Sequence, residues 1–209
     1  MAQFLKNAWQ PFVAAGEKAM GENRLEDAEA NFHAALLEAE LSDQSDERLA
    51  VTLDLLCELY QRTNQLELAE EYCLRNVRLK KDSSLFSSFD EMKAMLKLSK
   101  IYFVQSKLAP AAFSTKCVLE LSERTLGINH PAVAVVSQQL ADLYTDLGSY
   151  AEAEYLYRRA LDLQRNQRPT NGNPHLVQTL RGYANLLTRT HRPAEAQNLI
   201  ECAASYLAA

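Results

Sequence analysis

The chain has 209 residues, of which 47% are hydrophobic and 23% are charged, with only six glycines and six prolines. This composition predicts an all-helical protein and argues against a sheet-rich fold. The formal net charge of −5 argues against a general binder of the nucleic-acid backbone, because such proteins need clustered lysine and arginine. Residues 1–9 carry no long apolar core or cleavage-like segment, so no secretory leader is expected, and no apolar run approaches the roughly 18 residues of a membrane-spanning helix. A cytoplasmic protein without a membrane or nucleic-acid partner is therefore predicted.

One unit is copied five times along the chain. Its most regular mark is an alanine that follows a short break and a turn residue, and that recurs at intervals of 41, 42, 42 and 43 residues as Ala28, Ala69, Ala111, Ala153 and Ala196. We predict repeats over residues 5–43, 46–84, 88–127, 130–168 and 173–209, which form a single domain over 1–209. Stretches rich in Asp, Ser, Asn, Gly and Pro predict loops between repeats at 42–48, 82–90 and 166–175.

Each unit is predicted to be a pair of helices. Small and apolar residues recur at intervals of three, four and seven, which places them on one face of each helix. In chain order they are Gly16, Leu25, Ala28, Phe32, Ala35 and Leu36; Leu56, Leu59, Tyr60, Leu66, Ala69 and Val77; Leu98, Ile101, Tyr102, Leu108, Ala111, Val118 and Leu119; Leu140, Ala141, Leu143, Tyr144, Ala153, Tyr157, Ala160 and Leu161; and Tyr183, Ala184, Leu186, Leu187, Ala196, Ile200 and Ala203.

The break between the two helices of a unit has its own residue pattern. It carries Asn23, Asn64, Ser106, Gly148 and His191 in the five units. Three of these are Asn or Gly, which tolerate the left-handed conformation of a helix C-terminus. The alanine that follows lets the two helices approach closely, since a larger side chain at a tight crossing would cost roughly 1–3 kcal/mol.

The pattern resembles the tetratricopeptide repeat, and the period of about 42 resembles the longer kinesin light chain version of it. An ordinary repeat of this family has about 34 residues. The residues from Leu126 to Ala134 look like the kinesin light chain loop between repeats, and those from Tyr150 to Leu161 look like its second helix. This resemblance implies a right-handed α-solenoid of about five repeats and ten helices.

The residues that could carry chemistry are scattered. The cysteines Cys57, Cys73, Cys117 and Cys202 have no metal-binding spacing, and the histidines His33, His130, His175 and His191 form no cluster. We predict buried reduced thiols, an outward-facing His33, and no catalytic, metal or cofactor site, with a redox-sensing thiol as the alternative. The cations Arg75, Arg78, Lys80 and Lys81 form a basic helix end that complements the helix dipole, with a binding patch as the alternative.

The resemblance also implies a binding surface. In tetratricopeptide proteins the first helix of each repeat lines the concave side of the solenoid, and we assign this groove residue by residue. The predicted groove residues are Val13 and Glu17; Asp54, Glu58 and Arg62; Leu96, Lys100 and Phe103; Gln138, Asp142 and Thr145; and Arg181, Asn185 and Arg189. The alternative is that these side chains form an ordinary solvated helix face.

The sequence therefore predicts a scaffold or adaptor, not an enzyme, that binds a peptide segment or partner protein in this groove. An alternative is self-association into a homodimer, because the last helix ends with Leu199, Ile200, Ala203, Ala204, Tyr206 and Leu207 and leaves an apolar edge. A third interpretation is an enzyme that uses the repeats as a scaffold. The identity of the partner does not follow from the sequence.

Overall fold

The computed structural model describes residues 9–41, 45–165 and 174–208. Those residues form ten α-helices and no strand, which confirms the all-helical prediction: α1 (Trp9–Gly21), α2 (Leu25–Glu40), α3 (Ser45–Arg62), α4 (Leu66–Asp82), α5 (Ser88–Val104), α6 (Leu108–Leu126), α7 (Pro131–Leu147), α8 (Tyr150–Arg165), α9 (Pro174–Arg189) and α10 (Pro193–Ala208). The predicted repeat ends at 5–8, 42–43, 166–168, 173 and 209 lie outside the described residues. Within the described ranges, no helix is both long enough and apolar enough to cross a bilayer.

The predicted loops between repeats overlap the starts of helices. α3 begins at Ser45, inside the loop predicted at 42–48, and α5 begins at Ser88, inside the loop predicted at 82–90. α9 begins at Pro174, while the rest of the loop predicted at 166–175 lies outside the described residues. The reason is that Ser, Asp and Pro are favoured in the first turn of a helix as well as in loops.

The start of α5 shows this capping directly. The side chain of Ser87 accepts a hydrogen bond from the backbone N–H of Asp90, and the Asp90 carboxylate accepts one from the backbone N–H of Ser87 at 3.0 Å. This reciprocal pair is a capping box, which satisfies two of the N–H groups that a helix start leaves without a partner. Acidic and hydroxyl residues that suggested a loop therefore mark a helix N-terminus.

All five predicted breaks have the left-handed backbone. The φ angles are 60° at Asn23, 58° at Asn64, 59° at Ser106, 79° at Gly148 and 60° at His191. After Asn23, Asn64, Gly148 and His191 the N–H of the next residue donates to a carbonyl five residues back, as from Ser149 to Tyr144 at 2.9 Å. This is a Schellman-type C-terminus, so these four breaks end one helix and start the next in the same way.

The chain divides into two compact units, Met1–Gln105 and Ser106–Ala209, with the boundary inside the third repeat. Unit 1 holds α1 to α5, and each of these helices packs on the next. Its core centres on fully buried Phe32, Leu53, Leu56 and Ile101. The single domain over 1–209 stays a prediction.

Unit 2 holds α6 to α10, which also pack in chain order, with α7 additionally in contact with α9. Its buried core includes Leu140, Tyr157, Leu180 and Leu186. The alanines of the repeat are buried in both units: Ala28, Ala69, Ala111, Ala153 and Ala196. Their predicted place at tight helix contacts agrees with this burial.

The cysteines are only partly as predicted. Cys57 and Cys73 are buried in unit 1, where the Cys73 thiol donates to the Ala94 carbonyl at 3.7 Å and the Cys57 sulfur accepts from the Gln61 amide at 3.2 Å. Cys117 and Cys202 are half-buried. All four are free thiols in this structure.

Candidate partner-binding surface

The first helices of the repeats carry the predicted groove residues, and in unit 1 most of these residues are exposed. Glu17, Glu58 and Lys100 are exposed, and no ion pair or hydrogen bond involves their side chains among the described residues. Phe103 is 50% exposed and Leu96 is half-buried. In each unit separately, we call the exposed side of the first helices the first-helix face: α1, α3 and α5 in unit 1, and α7 and α9 in unit 2.

Arg62 is exposed but already engaged. Its guanidinium donates to the carbonyl oxygen of Met20 at 2.9 Å and to the side-chain oxygen of Asn23 at 3.4 Å. It therefore covers the C-terminal end of α1, where free carbonyls attract a cation. This contact gives Arg62 a role within the repeat stack, independent of any ligand.

Asp54 is held between two lysines. Its carboxylate accepts hydrogen bonds from Lys80 at 2.9 Å and from Lys97 at 2.7 Å. Burial raises the pKa of the Asp54 carboxyl, but the hydrogen bonds from Lys97 and Lys80 outweigh burial and hold the pKa below its ordinary value. The charge of Asp54 is thus neutralised within unit 1. Lys80, predicted as part of a basic helix end, has a specific partner on the neighbouring helix.

Unit 2 presents a smaller exposed set. Arg181 and Asn185 are exposed, and among the described residues neither side chain has a hydrogen bond or ion pair. Arg189 is exposed as well, but it donates to the Thr145 carbonyl at 3.1 Å and pairs with Asp146 at 3.1 Å. Arg181 and Asn185 are therefore the side chains of α9 that are open to a ligand.

Asp142 contrasts with Asp54. Its carboxylate accepts hydrogen bonds from the Tyr157 hydroxyl at 2.5 Å and from the Gln138 amide, and neither donor is charged. Burial raises the pKa of Asp142 above its ordinary value, because these hydrogen bonds offset it only in part. Asp142 is therefore anchored inside unit 2 and offers little of its carboxylate to solvent.

Three predicted groove residues are buried. Val13, Gln138 and Thr145 are each less than a tenth exposed, and the Thr145 hydroxyl donates to the Ala141 carbonyl at 2.8 Å. These three side chains have no free surface for a ligand in this conformation. The groove assignment stays a prediction for the exposed members of the set.

The chain is similar to known proteins in part of its sequence and in its fold. The tetratricopeptide-repeat family matches residues 116–166. The crystal structure of BtubC (BKLC) from P. vanneervenii is similar over 98% of this chain and 81% of its own, with 21% identity and a TM-score of 0.78. The putative kinesin light chain repeats of Podosopora anserina are similar over 95% of this chain and 94% of their own, with 16% identity and a TM-score of 0.77.

A third solved structure, the apo form of RapI, is similar over 95% of this chain and 69% of its own, with 13% identity and a TM-score of 0.77. No curated protein sequence matches the chain. Residues 116–166 thus match the tetratricopeptide repeat, and the fold of the chain is similar to that of kinesin light chain-like tetratricopeptide repeats. The predicted α-solenoid fold class is thereby confirmed.

Within this tetratricopeptide fold, two polar clusters were missed by sequence reasoning. In unit 1 the Tyr60 hydroxyl donates to Glu29 at 2.7 Å and lies 3.0 Å from the His33 imidazole. His33 is half-exposed and not fully turned outward as predicted, because its ring is drawn toward Tyr60.

The second cluster lies in unit 2. Glu154 accepts hydrogen bonds from Tyr183 at 2.9 Å and from Arg192 at 2.9 and 3.0 Å, and Arg158 donates to the Tyr183 hydroxyl at 3.0 Å. Its contacts between the two repeats join residues 25 to 38 positions apart, so local spacing signals only the pair of Glu154 with Arg158. Within the described parts of the tetratricopeptide chain, no group of three or more His, Cys, Asp or Glu is placed to hold a metal ion.

Proposed function

We propose that the chain is a cytoplasmic, non-enzymatic interaction scaffold whose first-helix face, in either unit, binds an extended peptide segment of a protein partner. The tetratricopeptide fold, a repeat scaffold for protein interaction, supports the general class. The observation that carries the specific proposal is a set of exposed polar side chains on first helices that have no partner among the described residues. In unit 1, Glu58 and Lys100 hold matching positions of two successive first helices, and in unit 2 Arg181 lies one turn before Asn185 on α9.

The geometry suits recognition of a peptide with charges of both signs. Glu58 and Lys100 present opposite charges in unit 1, while Arg181 and Asn185 offer donors for a carboxylate or a backbone carbonyl in unit 2. Phe103, half exposed, adds an apolar contact. Because these groups project from packed helices, little backbone entropy is lost when they bind, but each long side chain loses rotamer freedom. We therefore expect selective binding of modest affinity.

The test is a displayed library of extended peptides selected on the wild-type protein, with affinities then measured by fluorescence anisotropy. The double substitution Lys100→Glu and Arg181→Glu should weaken the selected peptides by about tenfold or more, since each reversal replaces an attraction with a repulsion. The matched control is Arg78→Glu with Arg124→Glu, which makes the same charge change on exposed residues of second helices. Equal affinities for all three proteins would contradict the proposal.

Self-association is a second candidate, favoured by one observation. On α10 the Ile200 side chain is 47% exposed, whereas Ala203 is buried and Leu199 is half-buried. The apolar edge is thus smaller than the sequence predicts, and Leu207 lies among the side chains that the structure does not describe. Light scattering that finds only a monomer at micromolar concentrations would contradict this candidate.

A further inference from the structure

A cleft of about 560 Å³ lies in unit 2, on the side formed by the second helices of the repeats. One wall is α6 and the other is α8, and Leu140 and Tyr144 of α7 contribute to the lining between them. Leu119 and Leu156 are buried and belong to the lining as well. The interior of the cleft is therefore apolar, and it is built by helices other than α9, which carries Arg181 and Asn185.

The upper walls of the cleft are exposed. Tyr155 is 66% exposed, although it lines the cleft, and Ala151 on the same helix is exposed too. A small ligand usually has most of its surface buried by its site. A cleft with walls this open instead suits side chains that protrude from a larger partner, and a large exposed aromatic ring beside an apolar floor is typical of such contacts.

The charges on the rim are unbalanced. Glu123 of α6 pairs with Arg159 of α8 at 2.5 Å, so these two charges cancel. Glu120 and Glu152 stand on opposite walls, both exposed, and among the described residues neither has an ion-pair partner. Lys116 is the single cation that remains on this rim without a described partner. The unpaired charge of the rim is thus predominantly negative, and the whole chain carries a net charge of −5.

We propose that this cleft binds one face of a basic amphipathic helix from a partner protein. The partner helix places an apolar anchor between α6 and α8, against Leu140 and Tyr155. Lysine or arginine residues beside that anchor pair with Glu120 and Glu152. An amphipathic helix fits because a groove between two helices matches anchors spaced three, four and seven residues apart. The cleft is thus a second interaction surface, separate from the first-helix face.

The experiment uses the full chain and a displayed library of helical peptides that share an apolar stripe and differ in the residues beside it. Selection on the wild type should enrich peptides with lysine or arginine flanking the stripe. Tyr155→Ala should weaken the enriched peptides by about tenfold, because truncating a central aromatic typically costs that much affinity. Glu152→Lys should weaken them by a similar factor and should improve the binding of peptides with acidic flanks.

Two control substitutions lie on the same helix but outside the cleft. Tyr150→Ala removes another exposed tyrosine of α8, and Asp162→Lys makes the same charge reversal as Glu152→Lys on an exposed residue. Both should leave the affinity unchanged. Enrichment of acidic or uncharged peptides would overturn the proposal, as would failure to enrich any helix or equal losses in the control variants. A concentration-dependent dimer that Tyr155→Ala abolishes would show that a second copy covers the cleft, which would also overturn it.

Each of the two binding proposals can be contradicted without affecting the other. The variant with Lys100→Glu and Arg181→Glu should bind the helical peptides as the wild type does. Conversely, Tyr155→Ala should leave binding of the extended peptides unchanged. Loss of both kinds of binding in one of these variants would indicate a damaged fold, which circular dichroism of the same samples detects, and with the fold intact it would contradict two separate surfaces.

Discussion

Phe32 in unit 1 and Tyr157 in unit 2 hold the same position of the repeat, four residues after its alanine, yet they make different contacts. Phe32 is fully buried and its ring packs so closely on Gly16 that a Cβ atom there would lie 2.4 Å from the ring. Tyr157 is just as buried, but its hydroxyl donates to Asp142 at 2.5 Å and its ring stacks on Tyr183 at 5.6 Å.

The two side chains differ by one oxygen atom, the Tyr157 hydroxyl, and this atom adds a hydrogen bond to a carboxylate in the core of unit 2. The hydroxyl of Tyr157 holds the Asp142 carboxylate by a hydrogen bond. Burial, together with that carboxylate, raises the pKa of the Tyr157 phenol. The contact at Phe32 stays apolar. The repeat thus specifies where a large ring lies and how closely the helices approach, whereas the polar network depends on single side chains.

The contact between Gly16 and the Phe32 ring leaves no room for an added atom, so a substitution there should give the larger loss of stability. In Gly16→Ala the new methyl group would overlap the Phe32 ring, which the surrounding core prevents from moving. We expect a loss of about 1–3 kcal/mol in the free energy of unfolding, typical of overpacking, measured by urea denaturation.

Gly21→Ala is the matched control for this substitution. Gly21 lies on the same helix, and nothing lies within 4 Å of a Cβ atom built there. This variant should be neutral or slightly more stable than the wild type, because alanine restricts the unfolded chain. If Gly16→Ala unfolds at the same urea concentration as Gly21→Ala, the close packing at Phe32 is not present in solution.

Removing the hydroxyl oxygen of Tyr157 should lower the free energy of unfolding by less than Gly16→Ala does. Tyr157→Phe leaves the Asp142 carboxylate with the Gln138 amide as its remaining described donor. The expected loss is about 1 kcal/mol, the usual net value of a hydrogen bond, at neutral pH. Tyr155→Phe removes an exposed hydroxyl from the same helix and should change nothing. Equal stability of the two variants would show that the bond to Asp142 adds nothing to folding.

Sequence reasoning located the features that depend on neighbouring residues. The alanines and the left-handed breaks at Asn23 and Gly148 follow from local spacing and backbone chemistry, and the structure has both. It did not separate exposed from buried groove positions, and Gln138 is buried although its neighbours on the same helix face suggested otherwise. Burial depends on how each helix is rotated against the next repeat, and a period of about 42 residues does not determine that rotation.

Ion pairs between residues far apart in the chain could not be predicted from the sequence, for a related reason. Asp54 and Lys97 are 43 residues apart, and Glu154 and Arg192 are 38 residues apart. Each pair joins different repeats, so its partners come together only after the helices have stacked. Charged residues at such separations look like ordinary solvated positions in the sequence, and Asp54 is assigned to the groove only through its position in the repeat.

The two aspartates predict opposite responses to pH, and this is the finest test of the contrast between the units. The pKa of Asp54 is lowered, so its contribution to stability is present above the unfolded value of about 3.9 and is lost as the pH falls through the folded pKa. The pKa of Asp142 is raised, so the folded state holds its proton more tightly than the unfolded state. Its contribution is therefore largest at low pH and is lost as the pH rises from about 3.9 through the folded pKa.

Substitution by asparagine separates these contributions. Asp54→Asn should cost most at neutral pH, where it leaves Lys80 and Lys97 without their carboxylate, and the cost should shrink on acidification. For Asp142→Asn the loss in the free energy of unfolding should instead be smallest at neutral pH, because asparagine removes a charge that burial disfavours. The loss at acidic pH should exceed the loss at neutral pH by less than about 1 kcal/mol. Urea denaturation of both variants and the wild type across this pH range measures the two trends. The destabilisation by the two substitutions should change with pH in opposite directions, because lysines neutralise Asp54 and no cation pairs with Asp142 among the described residues. A change in the same direction for both would mean that the two carboxylates have the same surroundings.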